Sequence, residues 1–325
     1  MDKSLEMQII FSSLSLKDNL ICKSKKINGF FQAIFYVCCL LFIFNKLRIF
    51  KHQSDLKRFL DSIGNETAIG FVPTMGALHE GHISLITQSK LETDITICSI
   101  FVNPTQFNNL SDLENYPRNL DKDLELLNKY ECDLVYIPEI NDIYSENETS
   151  KVFEFNGLDQ YMEGSSRTGH FDGVATIVEK LFRIILPNKA YFGQKDLQQL
   201  QIIKFITKNL SIPVKIVSVS TKRESSGLAM SSRNELLKPE EKINAALIYK
   251  TLLNVKNLSK TKDINYIYNE IEKTYNRNKL IDLDYFNIVS LETMKPISKI
   301  GEEGTNAACI AVYISSIRLI DNIIF

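Results

Sequence analysis

The sequence predicts an α/β fold in which a doubly wound, mostly parallel sheet is followed by a smaller C-terminal α+β domain. Three observations carry that prediction. Short apolar runs rich in β-branched residues stand at residues 68–72, 95–102, 134–137 and 214–219, and continuous apolarity marks strands buried on both faces. Segments with helical spacing separate them, as in Leu56, Phe59, Leu60 and Ile63, so strand and helix alternate as in βαβ units. The polar, glycine-bearing strings fall where the apolar runs end, which is where doubly wound, Rossmann-like sheets bind ligands.

The chain of 325 residues is long enough for two domains. A net charge of −1 without a basic stripe argues against a broad nucleic-acid footprint. None of the six cysteines forms a C-x-x-C pair, and a reducing, cytoplasmic location with free thiols is expected. Residues 1–46 stand apart from the rest. Their apolar stretch 27–44, flanked by lysines, is at the short edge of the roughly 17–25 residues that cross a bilayer. It reads as a membrane anchor, a targeting signal lacking the usual small-residue cleavage site, or upstream sequence from a misplaced start. The globular part then begins with a strand at 47–50 and a helix at 52–62.

The next stretch is the most informative. Phe71-Val72-Pro73-Thr74-Met75-Gly76-Ala77-Leu78-His79-Glu80-Gly81-His82 reads as a buried strand, a tight loop and a helix start that runs on through 84–91. The unpaired N–H groups and aligned dipoles of a helix's first turn favour an anion. His79 and His82, three apart, lie on one face of that turn and can donate to polyphosphate oxygens. Taken alone, the pair reads more plainly as a helix cap and a core histidine. Zinc is disfavoured, because no further Cys or His completes a ligand set.

Further along, Asn103 and Gln106 in the loop after the second apolar run offer uncharged donors and acceptors suited to a hydroxy acid. Asp121, Asp123 and Glu125 fall in a helix over 119–129 and read as its solvated face. Arg167 and His170 flank Gly169 on a loop expected to be mobile, ahead of a helix over 174–186. Tyr191-Phe192-Gly193-Gln194-Lys195-Asp196 repeats the strand, loop and helix pattern, with Lys195 able to reach phosphate and Asp196 placed as a helix cap. Gln199, one turn on, faces the same side. The string Met230-Ser231-Ser232-Arg233 adds hydroxyls and a fixed guanidinium fork. Helices at 240–257 and 264–275 and strands at 283–289 and 307–314 complete the chain, dividing it into domains 47–220 and 221–325.

These strings carry a resemblance. H-x-G-H resembles the signature of the nucleotidyltransferase superfamily, and the longer Pro-Thr-Met-Gly-Ala-Leu-His-x-Gly-His, with the Gly193-Gln194-Lys195-Asp196 and Ser231-Ser232-Arg233-Asn234 blocks, resembles the pantothenate synthetase family. The resemblance implies ATP-dependent, AMP-forming condensation of pantoate with β-alanine through a pantoyl adenylate. It implies that Pro73, Thr74, Met75, Gly76, His79, His82, Gly193, Lys195, Asp196, Met230, Ser231, Ser232 and Arg233 bind ATP. His79, His82, Lys195 and Arg233 would act in catalysis, Gln106 and Gln199 would bind pantoate, and Asn103, Arg167 and His170 rank behind them. Mg²⁺ brought in with ATP and a homodimer are expected, and the resemblance leaves open that some of Asp121, Asp123 and Glu125 help hold the Mg²⁺. The chain departs from the family pattern at Ser226, where an Asp is usual, and at Gln194, where Glu is frequent. The rival readings are another H-x-G-H nucleotidyltransferase and a non-enzymatic, membrane-attached nucleotide-binding protein.

Overall fold

In the computed structural model residues 47–64 and 66–325 are described, so the apolar stretch 27–44 lies outside the described residues. Among the described residues no helix is long and apolar enough to cross a membrane.

Six strands form one parallel sheet: β1 (Arg48–Phe50), β2 (Ile69–Thr74), β3 (Ile95–Ile100), β4 (Leu134–Tyr136), β5 (Lys189–Gly193) and β6 (Lys215–Val219). Their order is β1-β4-β3-β2-β5-β6, so the chain winds outward from β2 through β3 to β4 and then returns to build β5 and β6 on the other side. The reversal lies between β2 and β5, and the crevice at such a point receives ligands at the carboxyl ends of the strands.

Side chains alternate across this sheet. Phe71, Ile97 and Leu134 face a core shared with helices α1 (Gln53–Ser62), α7 (His170–Ile185) and α8 (Leu197–Asn209). Val72, Cys98 and Val135 face the opposite core with α2 (Glu80–Glu92) and α4 (Leu120–Lys129). Burial on both faces explains why these strands read as unbroken apolar runs. Short helices α3 (Leu110–Glu114), α5 (Ile140–Ile143) and α6 (Glu163–Ser166) punctuate the connections.

Beyond β6, helices α9 (Pro239–Leu258) and α10 (Ile264–Asn276) pack on an antiparallel sheet of β7 (Asp282–Ser290), β8 (Asn306–Ile314) and β9 (Ile317–Ile324) around a third core. β9 adds a strand to the sequence reading; Arg318, Asp321 and Asn322 interrupt its apolar alternation because all three are used in polar contacts described below. Cys98, Cys132 and Cys309 are free and buried, and burial pushes the Cys132 and Cys309 thiols up to about 12.

Two further elements differ from the sequence reading. β2 continues through Pro73 to Thr74. Its pairing with β5 ends at Phe71, while Thr74 O still accepts from Phe101 N on the β3 side (3.0 Å); alternation therefore turns Pro73 toward the side where no partner strand needs its missing N–H. Helix α7 begins at His170 rather than at Val174, and His170 is buried rather than carried on a mobile loop. The cause is close backbone packing. A Cβ on Gly173 would lie 2.4 Å from Thr105 O, and Asn103 Nδ2 donates to Gly173 O (3.1 Å).

Candidate active site

One pocket opens at the carboxyl ends of β2 and β5. Its wall includes Pro73, Thr74, Met75, His79, His82, Asn103, Gln106, Arg167, His170, Gly193, Lys195, Asp196, Gln199, Met230, Ser231, Ser232 and Arg233. Gly76 does not line it. Its φ of +78° shapes the turn behind the wall, where a Cβ would meet Asp123 Oδ2 at 3.0 Å.

The loop from Thr74 to His79 is held by its own surroundings. The Thr74 hydroxyl donates to Ser99 O (2.6 Å) and accepts from Gly76 N (3.2 Å). Asp123, read from sequence as solvated, is buried and accepts from Ala77 N (3.0 Å) and Leu78 N (2.7 Å). Burial raises its carboxyl pKa, and those two bonds oppose the rise. The signal was present in the sequence: Asp123 lies four residues before Leu127 on the buried stripe of α4.

His79 is the N-cap of α2 and His82 its third residue, and they form a reciprocal capping box. His79 Nδ1 accepts from Gly81 N (3.1 Å) and His82 Nδ1 from His79 N (3.3 Å). The rings sit 4.1 Å apart. Burial, aided by Lys195, lowers the His79 pKa to about 4. Burial and then the neighbouring His79 hold His82 well below the ordinary imidazole range. Both rings are therefore neutral at physiological pH, with the proton on Nε2 because Nδ1 is already accepting. Two Nε2–H donors stand together at the positive end of a helix.

Lys195 lies on the loop after β5, its Nζ 3.4 Å from Asp196 Oδ1. Asp196 occupies the N-cap position of α8 but makes no side-chain cap bond, since its backbone belongs to a preceding 3₁₀ turn. Asn322 of β9 fixes this loop by donating to Gln194 O (2.9 Å) and Lys195 O (2.8 Å).

On the loop after β6, Ser232 Oγ donates to Ala77 O (3.0 Å), tying it to the histidine loop. Ser231 Oγ accepts from Arg233 N (3.3 Å). The Arg233 guanidinium grips Asp112 of α3 through both carboxylate oxygens (3.2 and 3.1 Å). Arg223, on the same loop, pairs with buried Asp321 (2.6 and 3.0 Å) and stacks 3.7 Å from the Tyr249 ring centroid. Ser226 Oγ accepts from Leu228 N (3.3 Å) in the turn at Gly227.

The remaining wall joins the amides of Asn103 and Gln106 to His170, Arg167 and Glu163. Asn103 is satisfied internally, donating to Gln106 Oε1 (3.2 Å) and accepting from Tyr144 OH (2.7 Å). Gln106 Nε2 contacts Met75 Sδ (3.0 Å). His170 Nδ1 donates to Gln106 O (2.8 Å), leaving Nε2 to accept from Arg167 Nη1 (3.1 Å). Burial and Arg167 lower the His170 pKa to about 4. Among the described residues no group of three or more His, Cys, Asp or Glu is set to hold a metal ion.

The pocket thus joins neutral imidazole donors, two lysines and two arginines to an amide-lined floor. Comparison with known proteins agrees with its architecture. The family model for pantoate-beta-alanine ligase matches residues 48–324. The pantothenate synthetase of Christiangramia forsetii is 46% identical over 279 residues, covering 85% of this chain and 99% of that protein. That of Thermosipho melanesiensis is 46% identical over 281 residues, covering 86% and 99%. The crystal structure of pantothenate synthetase from Thermus thermophilus superposes with a TM-score of 0.79 at 36% identity, covering 85% of this chain and 98% of that one. A Francisella tularensis pantoate-beta-alanine ligase, complexed with beta-gamma ATP and beta-alanine, superposes with a TM-score of 0.71 at 36% identity, covering 86% and 97%. The chain belongs to the pantoate-beta-alanine ligase family, whose members are the pantothenate synthetases.

Proposed function

We propose that the pocket condenses pantoate with β-alanine in two steps. The pantoate carboxylate attacks the α-phosphorus of ATP, forming a pantoyl adenylate as the bond to pyrophosphate breaks. The β-alanine amine then attacks the acyl carbon, AMP leaves, and the amine proton is lost to solvent. The observation that carries this reading is the histidine pair: two neutral Nε2–H donors on rings 4.1 Å apart at a helix N-terminus, beside Lys195. Such donors stabilise charge as it shifts onto the leaving pyrophosphate without themselves changing protonation state.

No covalent intermediate is required. Positioning two bound reactants contributes up to roughly 7–11 kcal/mol, and a charge-assisted hydrogen bond roughly 1.5–3 kcal/mol, so alignment is the larger effect. His79, His82, Lys195 and Arg233 serve the triphosphate, aided by Ser231 and Ser232, with the Pro73–Thr74–Met75 backbone alongside. Gly193, Asp196 and Met230 border the nucleoside, and Gln106 and Gln199 hold pantoate. Arg233 must exchange Asp112 for phosphate oxygens, which links α3 to nucleotide binding. Mg²⁺ would bind through phosphate oxygens and its own waters, which suits a pocket without a metal-ligand cluster; its charge would ease pyrophosphate departure. Residues 221–325 would lid the cleft on the β-alanine side. The family resemblance supports a cytoplasmic homodimer.

The test is turnover of protein from Leu47 onward with ATP, Mg²⁺ and pantoate, following pyrophosphate and AMP. AMP and pantothenate forming together only on addition of β-alanine is the expected result. No product from a folded protein, with or without residues 1–46, would defeat the reading in favour of another H-x-G-H nucleotidyltransferase.

A further inference from the structure

Glu163 stands at the start of α6, buried, on the wall of the pocket beside Arg167. A buried carboxylate needs partners to remain charged, and Glu163 takes them from the other sheet. Arg318 of β9 donates Nη1 to Oε2 and Nη2 to Oε1, both at 2.8 Å. The Tyr285 hydroxyl of β7 donates to Oε1 (2.9 Å). Burial alone would raise the Glu163 pKa, but Arg318 and its companions hold it below the usual carboxylate range.

The backbone of β7 is shaped for this contact. The β7–β8 register shifts between Leu283 and Tyr285, and a bulge of this kind re-aims side chains. Asp284, the extra residue, accepts from Arg318 Nε (2.9 Å) and Nη2 (2.8 Å), while Tyr285 reaches Glu163. From Glu163 the chain of contacts runs into the pocket. Its Oε2 lies 3.7 Å from Arg167 Nη1, Arg167 Nη1 donates to His170 Nε2, and His170 donates to the Gln106 carbonyl. Among the described residues no hydrogen bond occupies Arg167 Nε or Nη2, so that edge of the guanidinium remains free to meet a carboxylate.

Resting on the ligase reading above, we propose that Glu163 is a positioning residue, held by Arg318 and Tyr285 of the antiparallel sheet, that aims Arg167 at the carboxylate-bearing hydroxy acid. Arg318 and Tyr285 engage both of its carboxylate oxygens, so it acts through Arg167. The C-terminal sheet thereby sets the geometry of a subsite built on the parallel sheet.

The test compares Glu163→Gln, Glu163→Asp, Tyr285→Phe and the double variant Glu163→Gln/Arg318→Gln with the full wild-type chain. KM for pantoate, ATP and β-alanine, kcat and urea unfolding are measured for each. Glu163→Gln should raise KM for pantoate about tenfold, the worth of one hydrogen bond, with KM for ATP unchanged. Tyr285→Phe should move the same constant in the same direction by less, and Glu163→Asp should fall between wild type and Glu163→Gln. The double variant removes the buried charges as a pair and so remains folded if Glu163→Gln does not; it too should lose pantoate selectively. Equal changes in all three KM values, or a change confined to ATP or β-alanine, would overturn the assignment, as would loss of stability with unchanged KM. Wild type inactive toward all three substrates would instead remove the ligase reading, and this inference with it.

Discussion

His170→Asn isolates one titrating group. In the folded protein the ring donates from Nδ1 to Gln106 O and accepts from Arg167 at Nε2, and its pKa falls from 6.5 to about 4 through burial first and Arg167 second; the bond to Gln106 O, then Glu163 and Asp196, oppose the shift. The unfolded chain therefore binds more protons than the folded one between those two values, and stability falls as pH drops through that window. At about pH 4 the unfolded imidazole is almost fully protonated and the folded one about half, which integrates to about 3 kcal/mol of lost stability relative to neutral pH. An asparagine amide can keep the donation to Gln106 O while removing the titration. Urea unfolding of both proteins across this pH range is the assay. The variant should start less stable, having lost the acceptor for Arg167, yet lose about 3 kcal/mol less on acidification. Parallel losses in the two proteins would refute the assignment of a neutral, buried His170.

Three other outcomes are expected. His82→Ala should slow pyrophosphate release by about two to three orders of magnitude, the usual loss for a donor to developing charge, while the protein stays folded with stability lowered by about 0.5–2 kcal/mol through the lost cap; release at the wild-type rate would remove His82 from the chemistry. Gln106→Ala should raise KM for pantoate and leave KM for ATP alone, measured by initial rates at saturating co-substrates. Asp123→Asn leaves one of the Ala77 and Leu78 N–H groups without an acceptor, so it should cost about 1–3 kcal/mol in urea unfolding and raise KM for ATP through the displaced histidine loop.

The parallel sheet and its order of strands and helices are legible because burial on both faces leaves a continuous pattern: Phe71 and Val72 go to opposite cores, so neither is polar. The site residues are legible where a motif combines glycine, histidine and strand end, as at Gly76 to His82. What sequence does not record is the long-range polar partner. Asn322 lies 127 residues from Lys195, and Glu163 lies 155 from Arg318; no local period connects either pair. Asp123 misleads for a different reason. Its charge suggests solvent, whereas its place on the buried stripe of α4 points inward, and two backbone N–H groups decide between them. At Asp196 the N-cap position is readable, but the 3₁₀ turn before it withdraws the side chain from capping.

β9 explains why the final residues matter to a pocket built mostly from the parallel sheet. Arg318 holds Glu163 on the wall beside Arg167, Asp321 holds Arg223 on the loop carrying Ser231 to Arg233, and Asn322 holds the carbonyls of Gln194 and Lys195. One strand thus reaches three separate walls. Side chains along a strand repeat every second residue, so Arg318 and Asn322 leave β9 on one face and Asp321 on the other. Pairing of Tyr313 with Arg318 and of Cys309 with Asn322 fixes that arrangement along β8. A slip of one residue would turn all three contacts to the wrong face. Buried ion pairs such as Arg318 with Glu163 contribute little net stability against an apolar alternative, so their value here lies in geometry: they admit one register, and only that register assembles the pocket.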